Sequence, residues 1–499
     1  MHLLIRSRKP IALIILSLIA YIASPQGLRA VSPPPDGGYG PPAYGTGNTA
    51  EGEDALLNLS SGGSFNTATG YRTLHNIVNG SFNTAIGAGA LFNNTADQNT
   101  ALGAGALLNN TTGTFNTAVG EAALFYNTTG GVNTAVGNGA LQSNTTGDFN
   151  TASGVSALRG NTTGDFNTAS GVNALTSNTS GGSNTADGVN ALRTNTTGNN
   201  NTALGMNALF NNDTGGSNTG IGKSALSNNT TGIENTATGE SALSNSTTGD
   251  RNVAVGADAL LSNTAGSFNL AAGFNALGDN KTGSSNVGVG PQALAGNVGG
   301  RNNTAVGALA GINSTGDFNV YVGAGMIGVA GENSTTRIRN IYSSVASGRA
   351  VYVNSDNKIG TLSSSRRYKD EIKPMDKASE TLFALRPVTF RYKKEVGSER
   401  ALSFGLIAEE VAEISPELIT RDDQGNPQSV RYEAVNAMLL NEFLKEHRTV
   451  QELRSNAAKQ EATIAKQQQQ IEALTTGLQK VSAQLELSKP APRAVVTNE

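Results

Sequence analysis

Between residues 66 and 319 small apolar and polar residues alternate on a fixed beat. An Asn opening an Asn-Thr-Ala-like triplet recurs at Asn66, Asn83, Asn99, Asn116, Asn133, Asn150, Asn167 and Asn184. It continues at Asn201, Asn218, Asn235, Asn252, Asn269, Asn286, Asn303 and Asn319. Thirteen of the fifteen intervals are 17 residues and two are 16. The unit reads N-T-A-x-G-x-x-A-L-x-x-N-T-T-G-x-x, as in Asn150-Thr151-Ala152-Ser153-Gly154-Val155-Ser156-Ala157-Leu158. Seventeen residues are too few for a helical hairpin and predict one coil of a β-solenoid or β-roll, with two short strands and two turns. Ala and Leu take the inward positions and Thr and Ser the rest, while Gly supplies turns with positive φ. Asn at a fixed place can stack its amide from coil to coil. One Leu per coil is a thin core, so the expectation is a rod in which three chains pack together. Sixteen coils at ~4.8 Å each would span roughly 75 Å.

The beat holds over residues 56–325 and then breaks. Residues 326–362 show short alternating runs, Arg337-Ile338-Arg339 and Ala350-Val351-Tyr352-Val353, with a turn at Asn357-Lys358-Ile359-Gly360. They predict a β neck. Residues 363–435 read as a small α+β module. It has a helix over Ala378–Leu385 ended by Pro387, a strand over Val388–Lys393, a helix over Glu409–Ile414 and a turn at Gly425-Asn426-Pro427. Residues 436–488 carry a heptad row of Phe443, Val450, Ala457, Ile464, Ile471, Leu478 and Leu485, joined by Leu453, Leu474 and Val481. Glu446, Gln460 and Gln467 interrupt the second row. The pattern predicts a coiled coil with an imperfect seam compatible with a trimer, and the alternative is a single solvated helix. Pro490 and Pro492 end it, leaving 489–499 as a disordered tail.

At the other end, Arg6, Arg8 and Lys9 precede an apolar run from Ile11 to Ala23, with small residues following. That is the form of a secretory signal over residues 1–30. The run is short of the ~20 residues needed to span a bilayer, and the alternative is an uncleaved anchor. Residues 31–55, opening on Pro33-Pro34-Pro35, read as a Pro/Gly-rich linker. The expected location is therefore the cell surface or the exterior, with membrane contact only through the export signal. A net charge of −3 gives no basic balance for nucleic acid. No Cys is present, so no disulfide framework can brace the fold. No motif calls for a metal or cofactor. The N-x-T triplets, such as Asn110-Thr111-Thr112, follow from the repeat itself. Asp148, Asp165 and Asp187 form no paired-carboxylate constellation for glycoside hydrolysis. The rod's partner, a cell-surface or glycan ligand, is not specified by the residues.

Chemistry gathers at Ser364-Ser365-Arg366-Arg367-Tyr368-Lys369-Asp370-Glu371-Ile372. A Ser and a Lys five residues apart could form a serine–lysine dyad, but the spacing by itself reads first as a polar loop entering a new domain, because Ser and Lys are common. The three His are His2, His75 and His447, so none lies between Ser364 and Val435 and Lys is the available base. In such a dyad Ser364 attacks the carbonyl of Ser363, and Lys369 takes the Ser364 proton. An ordinary Lys has a pKa of ~10.4 and becomes a useful base only when burial strips its water.

Further blocks follow: Leu385-Arg386-Pro387-Val388-Thr389-Phe390-Arg391-Tyr392, Phe404-Gly405-Leu406-Ile407-Ala408-Glu409-Glu410-Val411, Pro416-Glu417-Leu418-Ile419 and Val430-Arg431-Tyr432. With the Ser364 block they resemble, in order, the intramolecular chaperone auto-processing domain of peptidase family S74, found at the end of phage tail spikes and endosialidases. The resemblance implies an assembly module that cuts itself away before Ser364. Ser365 stands where that family commonly has Asp, and Ser403 where relatives often have His; both departures bear on cleavage. The repeats are similar in style to trimeric autotransporter head repeats, with a longer period. Two functions compete: a secreted trimeric rod assembled and then released by its C-terminal module, or an intact adhesin with that module as a permanent clamp.

Overall fold

The structure is a computed structural model that describes residues 47–60, 62–341, 351–353, 358–360, 363–393, 401–422 and 424–488. The expected signal (1–30), the linker up to residue 46 and the tail (489–499) lie outside these residues. The chain divides into two compact units at Ser344/Val345.

The first unit is a parallel β-solenoid. Eighteen three-residue strands run from β1 (Thr49–Glu51) to β18 (Thr336–Ile338), each paired in parallel with the next in sequence. The register repeats without drift: Thr151, Ala152 and Ser153 lie opposite Thr168, Ala169 and Ser170. Each coil has one strand where the sequence suggests two. The reason is backbone curvature, because in most coils three side-chain-bearing residues adopt positive φ in addition to the strand-ending Gly. In one coil these are Phe149 (56°), Ser156 (58°) and Leu158 (51°), beside Gly154 (138°). Such conformations bend the chain inward too often for a second strand. The solenoid also outruns the sequence beat: it starts at Thr49, and β18 extends it into the region read as neck. There Arg337 replaces the inward Ala, yet it keeps its place opposite Tyr321.

Each coil closes on itself. The strand Ala and the Ala-Leu pair are fully buried, as at Ala152, Ala157 and Leu158. One Leu suffices because Ala and buried Asn fill the rest of a narrow interior, so neighbouring chains are not required to cover it. Two Asn ladders line this interior. The Asn150 backbone N–H and its Nδ2 both donate to Asn133 Oδ1 (2.9 and 3.2 Å), and Nδ2 also donates to Gly164 O (2.8 Å). In the second ladder Asn161 Nδ2 donates to Asn144 Oδ1 (2.8 Å) and to Gly164 O (2.9 Å). These bonds satisfy buried amides that would otherwise destabilise the coil. The C-terminal end is plugged by Tyr321, whose hydroxyl donates to Glu332 (2.7 Å) and accepts from the Ser314 hydroxyl (2.9 Å). Arg337 in turn grips Glu332 at 2.7 Å.

The second unit is α+β. Strands β19 (Tyr352–Val353) and β20 (Ile359–Gly360) pair antiparallel, so Ile359–Gly360 is strand where the sequence suggests a turn; Asn357 lies outside the described residues. A 3-10 helix over Asp376–Ala384 replaces the helix expected over Ala378–Leu385. Strand β21 (Val388–Phe390) pairs with β22 (Ser403–Gly405), ending three residues before the Lys393 expected. Helix α1 (Ala408–Ile414) and a turn at Pro416–Leu418 lead into the hairpin β23 (Ile419–Arg421) and β24 (Pro427–Val430). Gly425 sits at φ 86° in its turn, where Asp422 Oδ1 accepts from the Asn426 N–H at 2.8 Å. Helix α2 (Tyr432–Leu487) runs for 56 residues. It starts inside the module: Val435 packs with Val411, Leu418, Ile419 and Val430 in a small core. Along its remaining length Phe443, Ile464, Ile471 and Leu478 stand exposed. No helix of the described residues is long and apolar enough to cross a membrane.

Candidate functional site

Ser363 and Ser364 precede an extended Ser365, which leads into a single 3-10 turn, Arg366–Tyr368. Tyr368 N–H donates to Ser365 O and Lys369 N–H to Arg366 O, both at 3.1 Å, and the chain leaves Lys369 extended again. Ser364 and Lys369 thus flank one tight turn. Ser365 N–H donates to Ser363 Oγ at 3.3 Å. Arg367 lies over the Tyr368 ring at 4.8 Å. Every residue from Ser363 to Lys373 is exposed. Among the described residues no hydrogen bond joins Ser364 Oγ to Lys369 Nζ. The turn therefore brings the two residues to the same short segment and leaves both side chains in water.

A different Ser–Lys pair is in contact, and the sequence reading missed it. Ser379, fully buried, donates to Glu442 and accepts from Asn441 Nδ2 at 2.6 Å and from Lys445 Nζ at 3.4 Å. Lys445 also pairs with Glu442 at 2.7 Å and Glu380 at 3.7 Å. Lys445 and Ser379 hold the Glu442 carboxyl below its ordinary range. Here the Ser proton is committed to a carboxylate and the Lys to two, so neither is set up as nucleophile or base. The cluster instead fastens the 3-10 helix to the first turns of α2. The i, i+3 pair Glu442/Lys445 was visible in the sequence, but its partner 63 residues earlier was not.

Four of the five blocks quoted for the resemblance, all but the Ser364 block, meet in the module's small core. Arg386 pairs with Glu410 at 2.7 Å, and Leu406 N–H donates to the Tyr432 hydroxyl at 2.9 Å. Leu385, Leu406, Ala408 and Ala412 pack on the core of Val411 and Leu418. Ser403 lies on β22 opposite Phe390.

On the solenoid two of the scattered acids, Asp148 and Asp165, have a structural job. Asp148 Oδ1 accepts from Gly131 N–H at 2.6 Å, and Asp165 Oδ1 from Asp148 N–H at 2.7 Å, stapling each coil to the one before. A shallow polar groove runs along one flank past Ser177, Thr194, Asn211, Asn228 and Asn245. Its amides bond one another along the axis, Asn211 Nδ2 to Asn228 Oδ1 at 2.9 Å and Asn228 Nδ2 to Asn245 Oδ1 at 3.2 Å.

The molecule is thus of the class that joins a repetitive β-solenoid to a small α+β module continued by a long helix. Residues 364–420, within that module, match the model of the Peptidase_S74 family, described as chaperone of endosialidase. The match opens on Ser364 and ends before the Val430-Arg431-Tyr432 block. No curated protein matches the chain.

Proposed function

We propose that the chain is a secreted or surface-displayed trimeric fibre whose C-terminal domain acts as an intramolecular chaperone and cuts itself off before Ser364. Ser364 is the nucleophile: its Oγ attacks the Ser363 carbonyl while Lys369, the general base, takes its proton. The Ser363–Ser364 C–N bond breaks as a proton passes to the Ser364 amine, and water then hydrolyses the resulting ester to free the Ser363 carboxylate. The carrying observation is the family match that begins at Ser364, the residue that would head the released fragment. The exposed heptad seam of α2 adds a second support, since a stripe of that length is covered when three helices associate. Ser364 and Lys369 stand in water in the single chain, so the dyad waits on assembly: three modules closing over the turn would remove that water and free Lys369 to act as base.

The competing reading is an intact adhesin clamped by a non-cleaving module. It is favoured by the exposure of both side chains and by Ser365 following Ser364.

The test is direct. Wild-type chain is expected to give a fragment starting at Ser364 on denaturing gels, and Ser364→Ala and Lys369→Ala are expected to stay uncut. Either variant still releasing that fragment rules out the dyad; an uncut wild type in a sedimenting trimer selects the clamp.

A further inference from the structure

Outward positions of the solenoid strands form a surface that the core does not explain. The strand residues one and three after each ladder Asn point outward, as in Thr151 and Ser153, and the residue one before it, outside the strand at positive φ, is exposed beside them, as in Phe149. The middle column is mostly Thr. The third holds Ile86, Leu102, Val136, Leu204, Ile221, Val255, Val289, Val306 and Val322, each left more than a third exposed. The first column holds seven exposed Phe, from Phe65 to Phe318, with Phe149 and Phe166 stacked at 5.0 Å. The two columns complement each other: where the aliphatic one lapses to Ser153 and Ser170, Phe149 and Phe166 occupy the same coils. From Phe65 to Val322 the three columns carry only the charges Asp187, Glu234 and Arg251, and the last two pair with each other at 2.6 Å.

We infer that this strand face is where copies of the chain pack, side by side and parallel, with their faces turned to a common axis. Area argues for a protein partner. Seven half-exposed Phe alone leave roughly 700 Å² of ring in water, and the aliphatic column adds to it. A monomer's largest apolar patch is about 300–600 Å², and a specific interface takes about 800 Å² from each partner. Period argues for a second copy. Apolar knobs stand on fourteen of the sixteen coils, missing only where Ser183, Thr185 and Asp187 or Glu234, Thr236 and Thr238 take the columns. Another chain with the same coil spacing can interdigitate at nearly every level, whereas a partner without that spacing falls out of step. The absence of unpaired charge over most of the face keeps desolvation cheap. The inference rests on the oligomeric reading above and adds which surface makes the contact.

Because the chain contains no Cys, single cysteines report this contact cleanly. Full-length Val136→Cys and Ile221→Cys probe the face. Ser177→Cys and Asn245→Cys lie midway along the coil between successive strands and serve as controls. All are treated with a bis-maleimide reaching ~10 Å, the spacing of sheets packed face to face. The expected result is about tenfold or more linked dimer at positions 136 and 221 than at 177 and 245, since neighbours on a shared face react at high effective concentration. Sedimentation of the same samples separates the possible failures. An oligomer that links at the controls, or nowhere, overturns the face and leaves the oligomeric reading standing. A monomer overturns both and assigns the face to another partner.

Discussion

At Ser246 the second Asn ladder loses a rung. Asn229 Oδ1 and Ser246 Oγ are left buried without hydrogen-bond partners, and Asn297 Oδ1, which precedes Ser314, is left the same way. A buried acceptor without a donor costs about 1–3 kcal/mol, so one missing amide is felt. Ser246→Asn is expected to restore the bond to Asn229 and raise the midpoint by about 2–4 °C in thermal unfolding; a lower midpoint would mean the site cannot hold the larger side chain. Gly154 makes the opposite point. At φ 138° a Cβ there would sit 2.5 Å from the carbonyl oxygen of Gly171 in the next coil. Gly154→Ala should cost about 1–3 kcal/mol, while the outward Ser153→Ala next to it should be near neutral; equal effects in denaturant titrations would remove the glycine argument. Much at this scale was legible in the sequence. The ladder Asn, the inward Ala and Leu and the turn Gly announce themselves by recurrence. The positive φ of Leu158 and Phe149 did not, because closing the coil imposes it on residue types that do not favour it.

Among elements, the solenoid's C-terminal plug is sensitive to pH. Burial pushes the Tyr321 hydroxyl up to about 12, its bond to Ser314 opposing and Glu332 reinforcing the shift. An unfolded Tyr loses its proton near ~10. Between those values the unfolded chain holds fewer protons than the folded one, so stability is full below pH 10 and falls as pH rises toward 12. Chemical unfolding of the wild type should show that fall and Tyr321→Phe a smaller one; parallel curves would show that the plug does not titrate. In the C-terminal unit, helix α2 was legible from its heptads. Its anchorage was not, since Ser379 meets Glu442 across 63 residues with no motif to mark it. Replacing Ile464, Ile471 and Leu478 with Asp is expected to lower the oligomer's sedimentation coefficient and leave the precursor uncut. A monomer that cleaves at the normal rate would separate the seam from the chemistry.

For the whole molecule, repetition is both strength and hazard. Parallel strands of three residues recur eighteen times, so two rods can meet one coil out of step with little loss of contact. A separate module that gathers the C-termini first would set the register. Cleavage after assembly would then remove the element through which the fibre could reopen, and its persistence would become kinetic. Five sequence blocks pointed to this module, while the turn that carries Ser364 and Lys369 leaves both residues exposed in the single chain. Intact mass and N-terminal sequencing of the purified wild-type product, taken with its sedimentation, test the claim most directly. The account predicts a trimeric rod ending at Ser363 and a separate fragment beginning at Ser364; a stable trimer whose chains still run unbroken through Ser363–Ser364 would contradict it.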